Sequence, residues 1–148
     1  MRLLVAAVGR ARKGDPGAAL FHTYADRSPW ALELREIPAR NKGVADEGER
    51  LLAARPPNAA TVALDERGRA LTSEAFAETL DAWRVDAVPA AAFLIGGADG
   101  HADAVLRAAD LRLSLGPMTW PHMLVRAMLA EQLYRAQMIL QGHPYHRG

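Results

Sequence analysis

The chain has 148 residues, of which 50% are hydrophobic and 24% charged, and this balance excludes a disordered tail. Lys and Arg number 18 against 17 Asp and Glu, so a formal net charge of +1 argues against binding nucleic acid or membrane by bulk charge. Cysteine is absent, which excludes disulfides, thiolate nucleophiles and cysteine-ligated metals. We expect a single domain over residues 1–148, located in the cytoplasm, because the first apolar run is too short for a signal sequence or a membrane span.

The N-terminal half alternates strands and helices. In chain order it predicts a strand over residues 3–8, a helix over 16–27, a strand over 32–37, a helix over 41–55, a strand over 60–65 and a turn at 66–69. The first strand is a continuous apolar run, as in a strand buried on both faces, whereas the second alternates apolar and charged residues. The loop after the first strand carries Arg10, Arg12 and Lys13, and we expect it to contact phosphate.

The C-terminal half continues the alternation. It predicts a helix over residues 73–85 opened by Ser73, a strand over 88–95, a helix over 101–109, a strand over 111–115 and a long helix over 121–141 that starts at Pro121. Five strands alternating with helices indicate an α/β domain with a mainly parallel sheet and helices on both faces. Ligands of such sheets bind outside the carboxyl ends of the strands, so the loops after Leu64, Ile95 and Leu115 are candidates.

Two of these loops are rich in special backbone residues. Residues 96–100 read GGADG, and residues 116–120 read GPMTW on the next strand along the chain. Glycines after a buried strand let backbone N–H groups approach a ligand closely, although a plain turn has the same composition. Neither loop matches the dinucleotide-binding fingerprint, and residues 9–14 lack the Lys-Ser/Thr pair of a Walker loop.

The last helix and the tail carry the remaining signals. The apolar stripe of the helix is wider than a surface helix needs, which favours a second subunit packed against it over a fully internal core helix. The tail, residues 143–147, places His143 and His146 three positions apart without a carboxylate partner, which makes a poor metal site. Histidine with tyrosine suits RNA better, through stacking on unpaired bases and proton transfer near neutral pH.

Five segments together resemble a known family. They are residues 94–100 (LIGGADG), 113–115 (LSL), 118–126 (MTWPHMLVR), 131–136 (EQLYRA) and 143–147 (HPYHR). They closely resemble the RlmH (YbeA) family, small bacterial ribosomal RNA large-subunit methyltransferases of the SPOUT superfamily. The resemblance covers the whole chain and is most specific in the C-terminal half.

The resemblance implies an α/β fold whose C-terminal part is threaded into a trefoil knot that holds S-adenosylmethionine. It implies a homodimer that packs through the C-terminal helix and methylates N3 of a pseudouridine in a hairpin loop of 23S ribosomal RNA, in the assembled ribosome. Carried over to this chain, the cofactor contacts fall on Leu64, Gly96, Leu115, Gly116, Pro117, Met118, Thr119 and Trp120. This chain departs from the family at Ala98 and Asp99, where Pro-Glu is usual, and at Trp120 and Met123.

Transfer to N3 requires removal of a proton, because the imide N–H is mostly protonated at neutral pH. We hypothesise that His146 or His143 accepts this proton and that Tyr145 lies against the nucleobase. Arg126 and Arg147 would stabilise the developing negative charge or a phosphate. Two alternatives remain open: a SPOUT methyltransferase acting on transfer RNA, and a non-catalytic RNA-binding module for ribosome maturation. The intact tail favours catalysis.

Overall fold

The computed structural model describes residues 1–147, and strands alternate with helices throughout. The strands are β1 (Arg2–Val8), β2 (Leu32–Ile37), β3 (Ala60–Ala70), β4 (Ala90–Ile95) and β5 (Leu111–Ser114). The helices are α1 (Pro16–Arg27), α2 (Val44–Ala53), α3 (Ser73–Val85), α4 (Asp103–Ala108) and α5 (His122–Leu140), followed by a short 3-10 helix over Pro144–Arg147. The predicted α/β alternation is therefore confirmed.

The five strands form one parallel sheet in the order β2-β1-β4-β3-β5. β4 is buried along its whole length and β1 is buried after Arg2, which explains their continuous apolar sequences. β2 lies at one edge, and its alternating sequence gives an alternating burial pattern. Because every strand runs in the same direction, all carboxyl ends meet at one edge of the sheet.

A hydrophobic core lies on each face of the sheet. On one face, α1, α3 and α5 pack over the sheet, with Phe21, Phe76 and Leu129 fully buried. On the other face, α2 and α4 cover the sheet through Leu51 and Val105. The prediction of helices on both faces is confirmed, and α5 contacts both α1 and α3.

The predicted turn at residues 66–69 is wrong, because β3 continues to Ala70. β3 pairs with β5 on both sides of an irregularity: Leu64 faces Leu113, and so does Arg69, so the residues between them bulge outward. Gly68 permits this pairing, since a Cβ there would lie 2.5 Å from the Arg112 carbonyl oxygen. The glycine and the charged residues of this segment therefore form a bulge within β3 and do not reverse the chain.

The capping residue of α3 and the first residue of α5 each differ by one position from the prediction. Thr72, not Ser73, caps α3, because its Oγ1 accepts a hydrogen bond from the Ala75 N–H at 3.0 Å. The hydroxyl of Ser73 instead donates to Gln132 on α5, at 2.7 Å. Pro121 is the N-cap of α5 rather than its first residue, since its ψ of 141° is extended.

Candidate active site

A cavity of about 490 Å³ opens at the carboxyl edge of the sheet. Its walls come from the outer part of β3, the loops after β4 and β5, and the first turn of α5. The predicted cofactor contacts that line it are Leu64, Gly96, Leu115, Gly116, Met118, Thr119 and Trp120. Pro117 does not line the cavity. The three loops selected at the strand ends thus meet in space, while their contact with a cofactor stays a prediction.

The loop after β4, residues 96–100, is a compact backbone turn. Gly97 and Gly100 pair in an antiparallel bridge, in which the Gly100 N–H donates to the Gly97 carbonyl at 3.1 Å. A Cβ on Gly96 would lie 2.8 Å from the Gly100 carbonyl oxygen, so no side chain fits there unless the backbone moves. Backbone groups of this loop can therefore meet a ligand with no intervening side chain.

His101 packs against this glycine turn. Its Nε2 lies 3.1 Å from the Leu94 carbonyl oxygen, so a neutral imidazole protonated on Nε2 donates a hydrogen bond to it. Nδ1 is then buried without a partner among residues 1–147. Burial lowers the pKa of His101 below its ordinary value, because an imidazolium would lose its hydration, and the Leu94 carbonyl and the Asp65 carboxylate oppose this only partly. The sequence analysis missed His101, since the predicted helix included it.

The loop after β5 is held by a serine. Ser114 Oγ accepts a hydrogen bond from the Gly116 N–H at 3.0 Å and lies 3.0 Å from the Glu66 carbonyl oxygen, to which it donates. The Trp120 indole N–H donates to the Leu115 carbonyl at 3.3 Å. Trp120 is 37% exposed and Met118 is 69% exposed, so both apolar side chains remain open to a ligand or to another chain.

Polar side chains missed by the sequence analysis also line the cavity. They are Asp65, Glu66 and Arg67 of the β3 bulge and His122 of α5. The sequence analysis ended the strand at Asp65 and placed Glu66 and Arg67 in a turn, and it treated His122 only as part of the family motif. The one available signal was position, because these residues follow the candidate loops directly in the chain.

Arg126, predicted to stabilise negative charge on the RNA, has a different environment. Its side chain is only 1% exposed and forms an ion pair with Glu36 at 2.7 Å. It also donates to the carbonyl of Gly9 at 3.0 Å. Burial by itself would raise the pKa of Glu36, but the bonds from Arg126 and from the Ala11 N–H outweigh it, so the pKa lies below its ordinary value. In one protomer the guanidinium is thus shielded from solvent, and its role toward negative charge on the RNA stays a prediction.

The predicted catalytic tail is ordered and packs on its own protomer. The Tyr145 hydroxyl donates to Glu131 of α5 at 3.1 Å, and the Arg135 guanidinium lies 4.8 Å from the centre of the Tyr145 ring. Burial and the Glu131 carboxylate raise the pKa of Tyr145, so its hydroxyl stays protonated at neutral pH.

His146 completes this packing through Nε2, which lies 2.7 Å from Glu74 of α3. His143 Nδ1 accepts from the Tyr145 N–H at 3.1 Å, and Arg147 is exposed. None of the cavity-lining residues belongs to the tail. The structure therefore does not bring the predicted base and the cavity together within one chain.

Two further sequence expectations concern membranes and metals. In the part of the chain that the structure describes, even the 19-residue α5 lacks a stretch apolar enough to cross a bilayer. The same residues contain no group of three or more His, Asp or Glu side chains placed to hold a metal ion. The basic residues Arg10, Arg12 and Lys13 lie exposed in the loop after β1.

Sequence comparison identifies close relatives. The family model described as "Predicted SPOUT methyltransferase" matches residues 1–146. The chain is 59% identical to the ribosomal RNA large subunit methyltransferase H of Rhodospirillum centenum and 56% identical to that of Rhodospirillum rubrum. Each alignment covers 99% of both chains.

Structural comparison supports the fold. The crystal structure of the SpoU methyltransferase AviRb from Streptomyces viridochromogenes, in complex with the cofactor AdoMet, superposes with a TM-score of 0.50 at 18% sequence identity. The match covers 93% of this chain, which spans 58% of the length of that protein. This superposition shows that the chain and the SpoU methyltransferase share a fold.

Proposed function

The chain belongs to the SPOUT methyltransferase family, and on that premise we propose that it methylates N3 of a pseudouridine in the 23S RNA of the ribosomal large subunit, using S-adenosylmethionine. One observation carries the proposal: the loops after β4 and β5 and the outer part of β3 enclose one cavity at the carboxyl edge of the sheet. An enzyme with this substrate works on ribosomes, in the cytoplasm.

The cavity suits S-adenosylmethionine in size and chemistry. A volume of about 490 Å³ lies within the range of roughly 300–1,000 Å³ typical of small-molecule sites. Leu64, Ile95 and Leu115 provide apolar walls for the adenine ring, and the glycine turn at residues 96–100 provides backbone groups for polar atoms of the ribose. When bound, S-adenosylmethionine supplies an electrophilic methyl group on a sulfonium.

The residues of the chain must then hold the target nitrogen in line and remove its proton. Correct alignment alone can lower much of the barrier to such a transfer. We assign proton removal to His146 or His143, since a neutral imidazole has one ring nitrogen that can accept a proton. Tyr145, whose hydroxyl stays protonated, packs against the target nucleobase. The exposed Arg147 contacts negative charge on the RNA. Arg126 is a positioning residue in this scheme.

A second copy of the chain is needed to complete this arrangement. The tail of one protomer packs on its own α5 and α3, away from the cavity. Apolar side chains remain exposed along and beside α5, among them Leu20 and Leu124, and they border a second cavity between α1, α3 and α5. We propose that the homodimer forms through α5 and brings the tail of one copy to the cavity of the other.

The knotted threading implied by the family is also part of the proposal. Its support is the family match over residues 1–146, and in this chain β3 lies against the segment around β5. Ser114 bonds to the Glu66 carbonyl, and the Gly68 position leaves no room for a Cβ beside Arg112. Such contacts tie the segment that precedes α5 to the loop regions of the sheet.

Two measurements test the function. Calorimetric titration should give saturable binding of S-adenosylmethionine, and mass analysis of ribosomal RNA from cells lacking the gene should show one unmethylated pseudouridine in 23S RNA that the gene restores. Because the net charge is near zero, methyl transfer should be faster on ribosomes than on the isolated hairpin. A missing methyl group in transfer RNA, or no missing methyl group at all, would refute the assignment.

A further inference from the structure

The loops after β1 and β2 share an unusual composition. Residues 9–14 read GRARKG and residues 38–43 read PARNKG, and the two loops together carry five cations and no carboxylate. Those cations are Arg10, Arg12, Lys13, Arg40 and Lys42, which include both lysines of the chain. All five are exposed, and none forms an ion pair or a side-chain hydrogen bond within residues 1–147.

The sheet places the two loops side by side. β1 and β2 pair in parallel up to Val8 and Ile37, so the chain leaves both strands at the same edge. Neighbouring strands lie roughly 4.8 Å apart, and the two loops therefore begin within about one strand spacing of each other. β1 also pairs with β4, at Ala7 and Ile95, and Ile95 lines the cavity. The cationic loops thus lie beside the cavity on the β1–β2 side.

Buried groups hold the first loop in place. The Ala11 N–H donates to Glu36 Oε2 at 2.6 Å, and Arg126 fixes that carboxylate from beneath at 2.7 Å. The Asp15 N–H donates to the Arg12 carbonyl at 3.0 Å and closes the turn. The backbone that carries the cations is therefore organised before any partner binds, which lowers the entropy cost of binding.

The second loop has an anchor of its own. Arg50 of α2 donates to the Pro38 carbonyl at 2.6 Å and pairs with Asp46 at 3.2 Å. Asn41 adopts a φ of +58°, which turns the chain sharply between Arg40 and Lys42. Asn tolerates this conformation better than most residues, so the turn costs little.

The charge of these loops contrasts with that of the remaining chain. Outside them, the thirteen other basic residues are outnumbered by seventeen acidic ones, so the excess positive charge concentrates at this edge. Five like charges in two adjacent loops repel one another, and a polyanion relieves that repulsion. Neither loop contains an aromatic residue, which leaves no platform for base stacking and favours contact with the sugar-phosphate backbone.

We propose that residues 9–14 and 38–43 form one phosphate-binding surface that holds the backbone of the substrate RNA on the β1–β2 side of the cavity. The surface rests on the proposed function, because it identifies the side from which the RNA reaches the methyl donor. It adds Arg40 and Lys42 to the phosphate contacts, and it gives the ion pair between buried Arg126 and partly exposed Glu36 a positioning role in RNA binding.

Charge neutralisation of each loop tests the surface. The variants are R10Q/R12Q for the first loop and R40Q/K42Q for the second. The control is R84Q/R107Q, which removes the same number of charges from the last turns of α3 and α4. These turns lie near the amino ends of the strands, opposite the cavity. Full-length proteins are compared for binding to ribosomes and to protein-free 23S RNA at several salt concentrations, alongside titration with S-adenosylmethionine.

Each loop variant should weaken RNA binding about tenfold near 0.1 M salt and reduce the slope of log K against log salt by about 1.5, as expected for two lost phosphate contacts. The control should stay within about twofold of wild type, and all variants should bind S-adenosylmethionine normally. Wild-type slopes in both loop variants would overturn the surface, and so would an effect confined to the first loop. Weakened binding to ribosomes but not to protein-free RNA would also overturn it.

Failure of the proposed function gives a different result. If the wild-type protein binds ribosomes but methylates no RNA, the enzymatic assignment is wrong. The salt slopes of the loop variants still decide the phosphate-binding surface in that case.

Discussion

The cavity and the tail show two different ways of building a site. The cavity is completed by one chain, through the loops that follow β4 and β5 and the bulge within β3, which together leave room for a ligand. The tail carries the groups best suited to proton transfer, yet in one protomer they are engaged by Glu131 and Glu74, away from the cavity. We therefore expect one chain to bind S-adenosylmethionine by itself, and we expect methyl transfer by the tail to need a second chain or movement of the tail.

The largest expected effect tests whether the tail belongs to the active site. In H146A, loss of the base should lower kcat for methyl transfer by about 10²–10⁴-fold, with S-adenosylmethionine binding unchanged. The matched control is E74Q, which removes the carboxylate that lies 2.7 Å from His146 Nε2 but keeps the imidazole. Equal loss of activity in H146A and E74Q would show that His146 holds the tail in place and does not accept the proton. The measurement is methyl transfer at saturating ribosomes.

The next effect should separate cofactor binding from tail function. In G96A, the added Cβ meets the Gly100 carbonyl oxygen at 2.8 Å, so the backbone of the turn must shift. A loss of about 2 kcal/mol in its contacts with S-adenosylmethionine predicts roughly 30-fold weaker binding. In G97A, the Cβ meets only side chains, at 3.2 Å from the Glu47 carboxylate and 3.3 Å from Val8 Cγ1, so the loss should be smaller. Calorimetric titration compares the two variants. Equal affinities would show that the glycine turn does not contact the cofactor.

The smallest effect uses pH to distinguish the buried histidine of the cavity from exposed histidines. Burial lowers the pKa of His101, so the neutral ring stabilises the fold above its ordinary pKa of about 6.5, and this contribution is lost as pH falls through the lowered value. Protonation puts a second N–H beside Gly96 and should weaken S-adenosylmethionine binding about threefold between pH 7.5 and 5.5.

Variants assign this pH dependence. H101Q should flatten the profile, whereas the control H22Q, at an exposed position of α1, should retain it. His122 and Asp65 also line the cavity, so the assignment depends on H101Q and not on the wild-type profile. An unchanged profile in H101Q would assign the pH dependence to those neighbours.

Much of the fold could be predicted from sequence because local patterns were unambiguous. The predicted bounds of the helix at residues 16–27 and of the strand at 32–37 agree with α1 and β2, and the strand-end argument selected the loops that form the cavity. Errors arose where composition had two physical meanings. The glycine and charges near Gly68 indicated a turn, but pairing with β5 makes this stretch a bulge within β3.

Side-chain roles were predicted less well than elements. Arg126 belongs to a motif that resembles RNA methyltransferases, yet it points to Glu36, a residue 90 positions earlier in the chain. The sequence did not indicate that Arg40 and Lys42 lie next to the basic loop at residues 10–13, because about 30 positions separate the two loops. Only the pairing of β1 with β2 joins them.

Hydrophobic period, turn residues and contiguous motifs were sufficient to predict the alternation of strands and helices, the family and the loops after β4 and β5. The tertiary structure alone decided that Arg126 is buried, that the tail lies apart from the cavity, and that two distant basic loops share one edge. These features depend on the order β2-β1-β4-β3-β5 and on contacts between residues far apart in the chain, and no local pattern encodes such contacts.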